Sequence, residues 1–387
     1  MAKRTIYLDH SATTPVDPRV VETMYPYFTD DFGNASSTHQ LGRKANVAVE
    51  EAREKIAHYL GTEPKDIVFT SGGTESDNTA IKGALKATGK KHIVTSAIEH
   101  HAVLEPTESL TKMGYKANFI SPDENGRISP EKVKKAITDD TGIISLMHVN
   151  NEIGIINPIS EIAGVCHENG VLFHSDTVQS TGKIPFTVDD LGVDFLSISA
   201  HKLYGPKGVG LLYVRNGAQM VPFMEGGSQE RKRRGGTLNV PGIIGLAKAI
   251  ELAYEEMDQN RGHISSLQKY FYNNLKEKFP GLVTFNSDSD LGLYNIINIS
   301  FELEGNKALD GEMLLLNLDI DGICCSNGSA CTSGAIEPSH VLTGIGRDEK
   351  TAKSSVRFSL GKDNTKEEID FTLESLEKIL DRMLKTV

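Results

Sequence analysis

Seven short apolar runs, mostly separated by stretches of helical spacing, constrain this chain more than any other feature: residues 67–70, 92–96, 117–120, 142–147, 171–175, 195–199 and 210–214. A strand that is apolar on both faces must be covered on both faces. A helical crossover between such strands returns the chain in the same direction, so the pattern predicts an α/β fold with a mainly parallel seven-stranded sheet between helix layers. Beyond it, helical spacing runs from 241 to 278, apolar runs recur at 296–301 and 355–359, and a terminal helix is expected over 366–384. These predict a smaller α+β unit. At 387 residues with 39% hydrophobic content, the chain can bury one large core and a second, smaller one.

Charge and cysteine usage narrow the class. The net charge is −11, and Arg231, Lys232, Arg233 and Arg234 form the one basic cluster, which disfavours nucleic acid as a partner. The N-terminus shows no apolar signal-type stretch, and no run of about 18 apolar residues occurs, so neither secretion nor a membrane is indicated and a cytoplasmic location is expected. Four cysteines, three of them within 324–331, make no secreted disulfide framework. Cys166 sits in a helical apolar pattern and reads as core. Cys324, Cys325 and Cys331 with His340 match no zinc spacing, so no metal is expected. Cys331 lies in a run of small residues from Ser326 to Ser333, which suits an exposed thiol on a loop that can relay sulfur.

Three segments carry chemistry. Lys202 follows the apolar run 193–198 and precedes a Gly205-Pro206 turn; a lysine leaving a buried strand can be a solvated strand end, or the amine that anchors the aldehyde of pyridoxal phosphate. Asp176 ends another apolar run, with Gln179 following. It is either a helix-capping acid or a carboxylate that keeps a pyridine nitrogen protonated. Residues 67–78 read as strand, Ser71-Gly72-Gly73-Thr74 turn and helix start, which is a capped helix or an anion cradle of backbone N–H groups.

In this order the three segments resemble the fold-type I pyridoxal-phosphate enzymes, and six further motifs narrow the likeness to the cysteine desulfurase family. They span Tyr7 to Pro15, Glu99 to Leu104, Met147 to Gly154, Arg234 to Val240, Gly328 to Ser333 and Ser355 to Gly361. The resemblance runs essentially end to end and is similar to the group I branch associated with nitrogen fixation and housekeeping iron–sulfur assembly. It implies a large cofactor-binding domain over 15–255 and a small domain formed by 1–14 with 256–387. It further implies a homodimeric transferase that converts L-cysteine to L-alanine and passes the sulfur, as a persulfide on Cys331, to an acceptor protein.

Roles carried over by the resemblance fall on named positions. Lys202 is the anchor and base, Cys331 the sulfur acceptor, and His100 stacks on the cofactor ring and relays protons, with no role for His101. Asp176 meets the ring nitrogen and Gln179 the ring oxygen. Gly73, Thr74, Ser199 and His201 hold the phosphate, joined by Thr237 of a neighbouring subunit. Arg357 grips the substrate carboxylate with support from Asn151.

The chain departs from the family text at Thr177, at Ala35 where a proline is common, at Gly235 in Arg-Gly-Gly-Thr, and at the adjacent Cys324 and Cys325, a thiol pair able to intercept a persulfide. It ends at Val387 without the longer tail by which housekeeping members dock a scaffold, so delivery to a scaffold stays open. Two alternatives stand beside desulfuration: a selenocysteine lyase on the same site, and a non-catalytic sulfur-relay or metal-binding protein on the same fold.

Overall fold

The computed structural model describes residues 5–288, 290–303, 309–327 and 337–385. Twelve strands occur among them: β1 (Ile6–Tyr7), β2 (Ile67–Thr70), β3 (His92–Ser96), β4 (Lys116–Ile120), β5 (Thr141–Ser145), β6 (Leu172–Asp176), β7 (Phe195–Ser199), β8 (Gly210–Val214), β9 (Val283–Phe285), β10 (Ile296–Phe301), β11 (Ile323–Cys324) and β12 (Ser355–Ser359). Strands β2 to β8 form one seven-stranded sheet in the order β2-β8-β7-β6-β5-β3-β4. β8 pairs antiparallel with both β2 and β7, and the other pairs are parallel, so six strands point one way and only β8 points back.

The predicted runs and the observed strands agree to within two residues at each end. The difference at the end of β5 has a physical cause: the Met147 N–H turns out of the ladder to donate to the buried Glu99 carboxyl at 3.0–3.1 Å. Phe173 and Leu196 are fully buried in the core on one face, and Phe195 and Leu212 in the core on the other. Each such side chain contributes about 1.5–3 kcal/mol to folding.

The helical stretch 241–278 is two helices rather than one, Val240–Glu255 and Met257–Lys278, with Glu256 at φ −98° and ψ 5° between them. The Arg19 guanidinium holds the Glu256 carboxylate at 2.5 Å, which pins the bend to the start of helix Pro18–Met24. Beyond the bend lies a separate core built on the antiparallel sheet β12-β10-β9 and helix Lys366–Met383. Ile6 and Leu8 pack in this second core, where β1 pairs parallel with β11. No helix among the described residues is long and apolar enough to cross a membrane.

Candidate active site

Because β2, β3, β5, β6 and β7 all point the same way, the loops after them converge along one edge of the sheet, where α/β sheets place their ligands. They enclose a cavity of about 460 Å³. Gly73, Thr74, Ser199 and His201 line one part of it and also a more open recess of about 340 Å³ alongside. Asp176, Gln179, His100, Asn151, Lys202 and Arg357 complete the predicted set on the wall.

The loop after β2 reaches this position because two glycines allow it. Gly72 has φ +149°, and a Cβ on Gly210 would lie 2.4 Å from the Ile198 carbonyl oxygen and 2.7 Å from the Gly72 Cα. Helix Gly73–Thr88 begins there with no side chain capping it, so backbone N–H groups at its start remain available to an anion. Glu75 ties the turn down, accepting from the Ser71 N–H at 2.8 Å and from Arg234 Nε at 2.8 Å.

Lys202 ends a short turn, Ala200–Lys202, directly after β7. Its Nζ donates to the Ala12 carbonyl at 2.7 Å and also to the Ser11 carbonyl. Burial, reinforced by the positive charges of Arg357 and Lys183, pushes the amine down to about 7, against the opposing pull of Asp176. Near neutrality much of it is therefore uncharged and nucleophilic.

Asp176 is the last residue of β6. Burial pushes its carboxyl up to about 7, with a further contribution from Asp77 close by. It accepts from the Val178 N–H at 2.8 Å. His100 faces the same space: its Nδ1 accepts from the Ala102 N–H at 3.0 Å, capping helix His101–Lys112, which leaves Nε2 to carry the proton. Burial, with Lys202 nearby, lowers it to about 4, so the ring is neutral at physiological pH.

Arg357, on β12, is 4% exposed. Its Nη1 donates to the Asn151 carbonyl at 2.8 Å, and its Nη2 donates to Asp9 Oδ1 at 2.9 Å and Ser326 Oγ at 2.8 Å. It is the backbone of Asn151, not its amide, that steadies the guanidinium. Gln179 Nε2 donates one N–H to the Ser11 carbonyl at 2.9 Å, leaving its second N–H free for another acceptor.

Three buried polar atoms without a hydrogen-bond partner belong to residues of this one wall: Ser11 Oγ, Gln179 Oε1 and Arg357 Nε. Such atoms are rare in a satisfied interior, and here they mark where a polar ligand belongs. The wall suits pyridoxal phosphate: helix N–H groups for a dianion, a lysine amine for an aldehyde, and a desolvated Asp176 that a protonated ring nitrogen would neutralise.

Two predicted residues are not on the wall. Thr237 is exposed on the surface of the chain, and Cys331 lies outside the described residues. His101 is exposed on the surface. Sequence reasoning passed over Ser11, Ala12, Asp77 and Ser326, which also line the cavity. Ser11, Ala12 and Asp77 stood inside quoted motifs, but nothing in their local pattern marks them as facing a ligand.

The aminotransferase class-V family model matches residues 6–371. The cysteine desulfurase IscS of Dictyoglomus turgidum is 49% identical over 383 residues, 98% of this chain and 96% of that one. The chain belongs to the cysteine desulfurase family. The IscS of Methanosarcina thermophila is 46% identical over 382 residues, covering 98% of this desulfurase and 93% of its own length. Among solved structures, a NifS-like protein superposes with a TM-score of 0.90 at 38% identity, covering 98% and 100% of the two chains. A second, described as SspA in complex with cysteine, gives 0.82 at 38% identity over 93% of this chain and 100% of that one. Members of this family are pyridoxal-phosphate enzymes of the fold-type I class, and the parallel sheet described above is that fold.

Proposed function

We propose that this desulfurase binds pyridoxal phosphate through Lys202, takes free L-cysteine as substrate, releases L-alanine, and keeps the sulfur as a persulfide on Cys331 for an acceptor protein. The observation that carries the reading is the convergence of a desolvated amine, a buried carboxyl and a tethered guanidinium on one wall with unsatisfied polar atoms. When bound, pyridoxal phosphate supplies an aldehyde to the amine and a ring that takes up the electron pair left by a departing α-proton.

The chain's own residues do the rest. Lys202 Nζ, uncharged near neutrality, removes the substrate α-proton. Asp176 holds a proton on the ring nitrogen, Gln179 directs its free N–H at the ring oxygen, and the helix N-terminus with Thr74, Ser199 and His201 binds the phosphate. Arg357, oriented by Asp9, Ser326 and the Asn151 carbonyl, offers its unpartnered Nε–H and a neighbouring N–H to the substrate carboxylate. The Cys331 thiolate attacks the substrate sulfur; the new S–S bond forms as the substrate Cβ–S bond breaks, and its electron pair goes to Cβ. Two protons complete alanine: the α-proton returned by the Lys202 ammonium and the proton that the Cys331 thiol gave up on ionising, with neutral His100 relaying rather than supplying a proton.

Cys331 is assigned on two grounds. Ser326 lines the cavity, and the five residues from it to Cys331 reach at most about 17 Å, a distance of the same order as the cavity. The described thiols are poor nucleophiles: burial pushes Cys166 up to about 12 and raises Cys324 and Cys325 as well. Thr237 is exposed and lies three residues after Arg234, which supports a role for it at the phosphate site of a second copy in a homodimer. The two separate cores support a large domain over 15–255 and a small one of 1–14 with 256–387.

Borohydride treatment of the cofactor-loaded protein tests the anchor. A reduced cofactor adduct on the peptide containing Lys202 is expected, and an adduct on any other lysine would overturn the assignment.

A further inference from the structure

Against the Lys202 turn lies a second, small cavity of about 50 Å³, lined by Lys202 and also by Lys183, a residue with no part in the chemistry above. Lys183 Nζ donates to the Gln179 carbonyl at 3.0 Å and contacts the Lys202 carbonyl at 3.5 Å. It thus bridges the turn that carries the ring-oxygen ligand and the turn that carries the anchor. No carboxylate forms an ion pair with it among the described residues, in contrast to Lys362, which also lines the cavity and is held by Asp17 at 2.6 Å. A desolvated ammonium normally acquires a counter-charge. Among the described residues, the acceptors that meet it are backbone carbonyls of site residues.

We infer that Lys183 is a positioning residue for the desulfurase reaction: it clamps the Gln179 and Lys202 turns together and sets an uncompensated positive charge near the Lys202 nitrogen, favouring its uncharged form. The inference rests on the assignment of Lys202 as the cofactor anchor. The charged groups around Lys202 are few and come from every side. Arg357 on β12 and Lys183 disfavour its charge, and Asp176 on β6 and Asp9 in the N-terminal segment favour it. His100 and His201, both lowered to about 4, stay neutral at physiological pH. Burial lowers Lys183 itself to about 8, so it is mostly charged at pH 7. Also lining the small cavity, His10 is lowered by burial, and the Lys362 charge is met by Asp17. Lys183 is therefore the cation in this set that can be neutralised without touching the substrate, since Arg357 cannot.

The experiment is a pH titration of the near-visible absorbance of the holoenzyme, which reports protonation of the cofactor-bound Lys202 nitrogen. It compares the wild type with Lys183→Gln, which keeps donors for the two carbonyls but drops the charge, Lys183→Met, which drops both, and Lys183→Arg, which keeps the charge. Loss of a like charge at this range should raise the midpoint by about one pH unit in the Gln and Met variants, a roughly tenfold change in the protonation ratio at fixed pH, with the Arg variant within about a third of a unit of wild type. Equal midpoints in all four proteins would overturn the charge role, and so would unfolding of both neutral variants, which would make Lys183 purely structural. Borohydride trapping of the wild type keeps the two readings apart: a missing adduct on Lys202 would defeat the anchor assignment, whereas an adduct with unmoved midpoints defeats only the inference about Lys183.

Discussion

Replacing Arg357 tests the substrate grip most sharply, because the structure says what each part of the guanidinium does. Nη1 and one N–H of Nη2 are committed to the Asn151 carbonyl and Asp9, with Ser326 sharing Nη2, and Nε is buried without a partner. The substrate carboxylate therefore meets a fork already aimed and desolvated. A hydrogen bond to a charged group is worth about 1.5–3 kcal/mol, so two of them lost in Arg357→Met should cost about 3–6 kcal/mol. At about 1.4 kcal/mol per factor of ten, that is a fall of roughly 10²–10⁴ in kcat/KM for L-cysteine. Arg357→Lys keeps a charge but cannot form the fork, and should lose about one such bond, roughly 10- to 150-fold. The assay is initial-rate alanine formation across a range of cysteine concentrations, with cofactor occupancy measured by absorbance on the same samples. Arg357→Met within threefold of wild type, at full occupancy, would refute the placement of the substrate carboxylate.

Three other outcomes follow from the geometry. Because the Lys202 amine, free once substrate has displaced it from the cofactor, titrates near 7 and must be uncharged to act as base, while His100 is already neutral down to about 4, kcat should fall on the acid side with a single limb near 7 and no second limb from His100; His100→Gln should lower the rate without moving that limb in a pH–rate profile. The loop before Thr237 holds three consecutive non-glycine residues at positive φ, Glu230 at 45°, Arg231 at 55° and Lys232 at 64°, pinned by the buried Glu230–Arg53 pair at 2.7 Å. Glu230→Gln should destabilise the protein by about 3–5 kcal/mol, read as a lower denaturant midpoint, and an unchanged midpoint would show that the pin carries no load. Mixed dimers of Lys202→Ala and Thr237→Asp chains contain one site with both wild-type residues, so activity should return towards half per heterodimer; no recovery in heterodimers verified by mass spectrometry would remove Thr237 from the neighbour's phosphate site.

The large sheet was legible because its strands are apolar on both faces and punctuated by turn residues, as at Ile67–Thr70 and Phe195–Ser199, whose bounds match the predicted runs. The bend at Glu256 was not, because it depends on Arg19, distant in sequence, and the helical spacing continues through it. Nor were β1 and β11, each two residues long and defined only by their pairing. At the site, residues whose chemistry announces itself, such as Lys202, Asp176 and Arg357, could be named from motifs. Asp77 and Lys183 could not, since an acid on a helix and a lysine after a turn look like solvated surface until the fold buries one against His174 and places the other against the Lys202 turn. Arg53 and Glu230, 177 residues apart, are a pair only in three dimensions.

The central claim is that sulfur leaves L-cysteine onto Cys331, and a single-turnover experiment measures it directly. Cofactor-loaded protein mixed with L-cysteine in the absence of reductant should yield one alanine per site, and one additional sulfur on the peptide containing Cys331 by mass spectrometry, with neither product from Cys331→Ser. Alanine formed at the wild-type rate by Cys331→Ser, or sulfur found on Cys324 or Cys325 while Cys331 stays unmodified, would contradict the account.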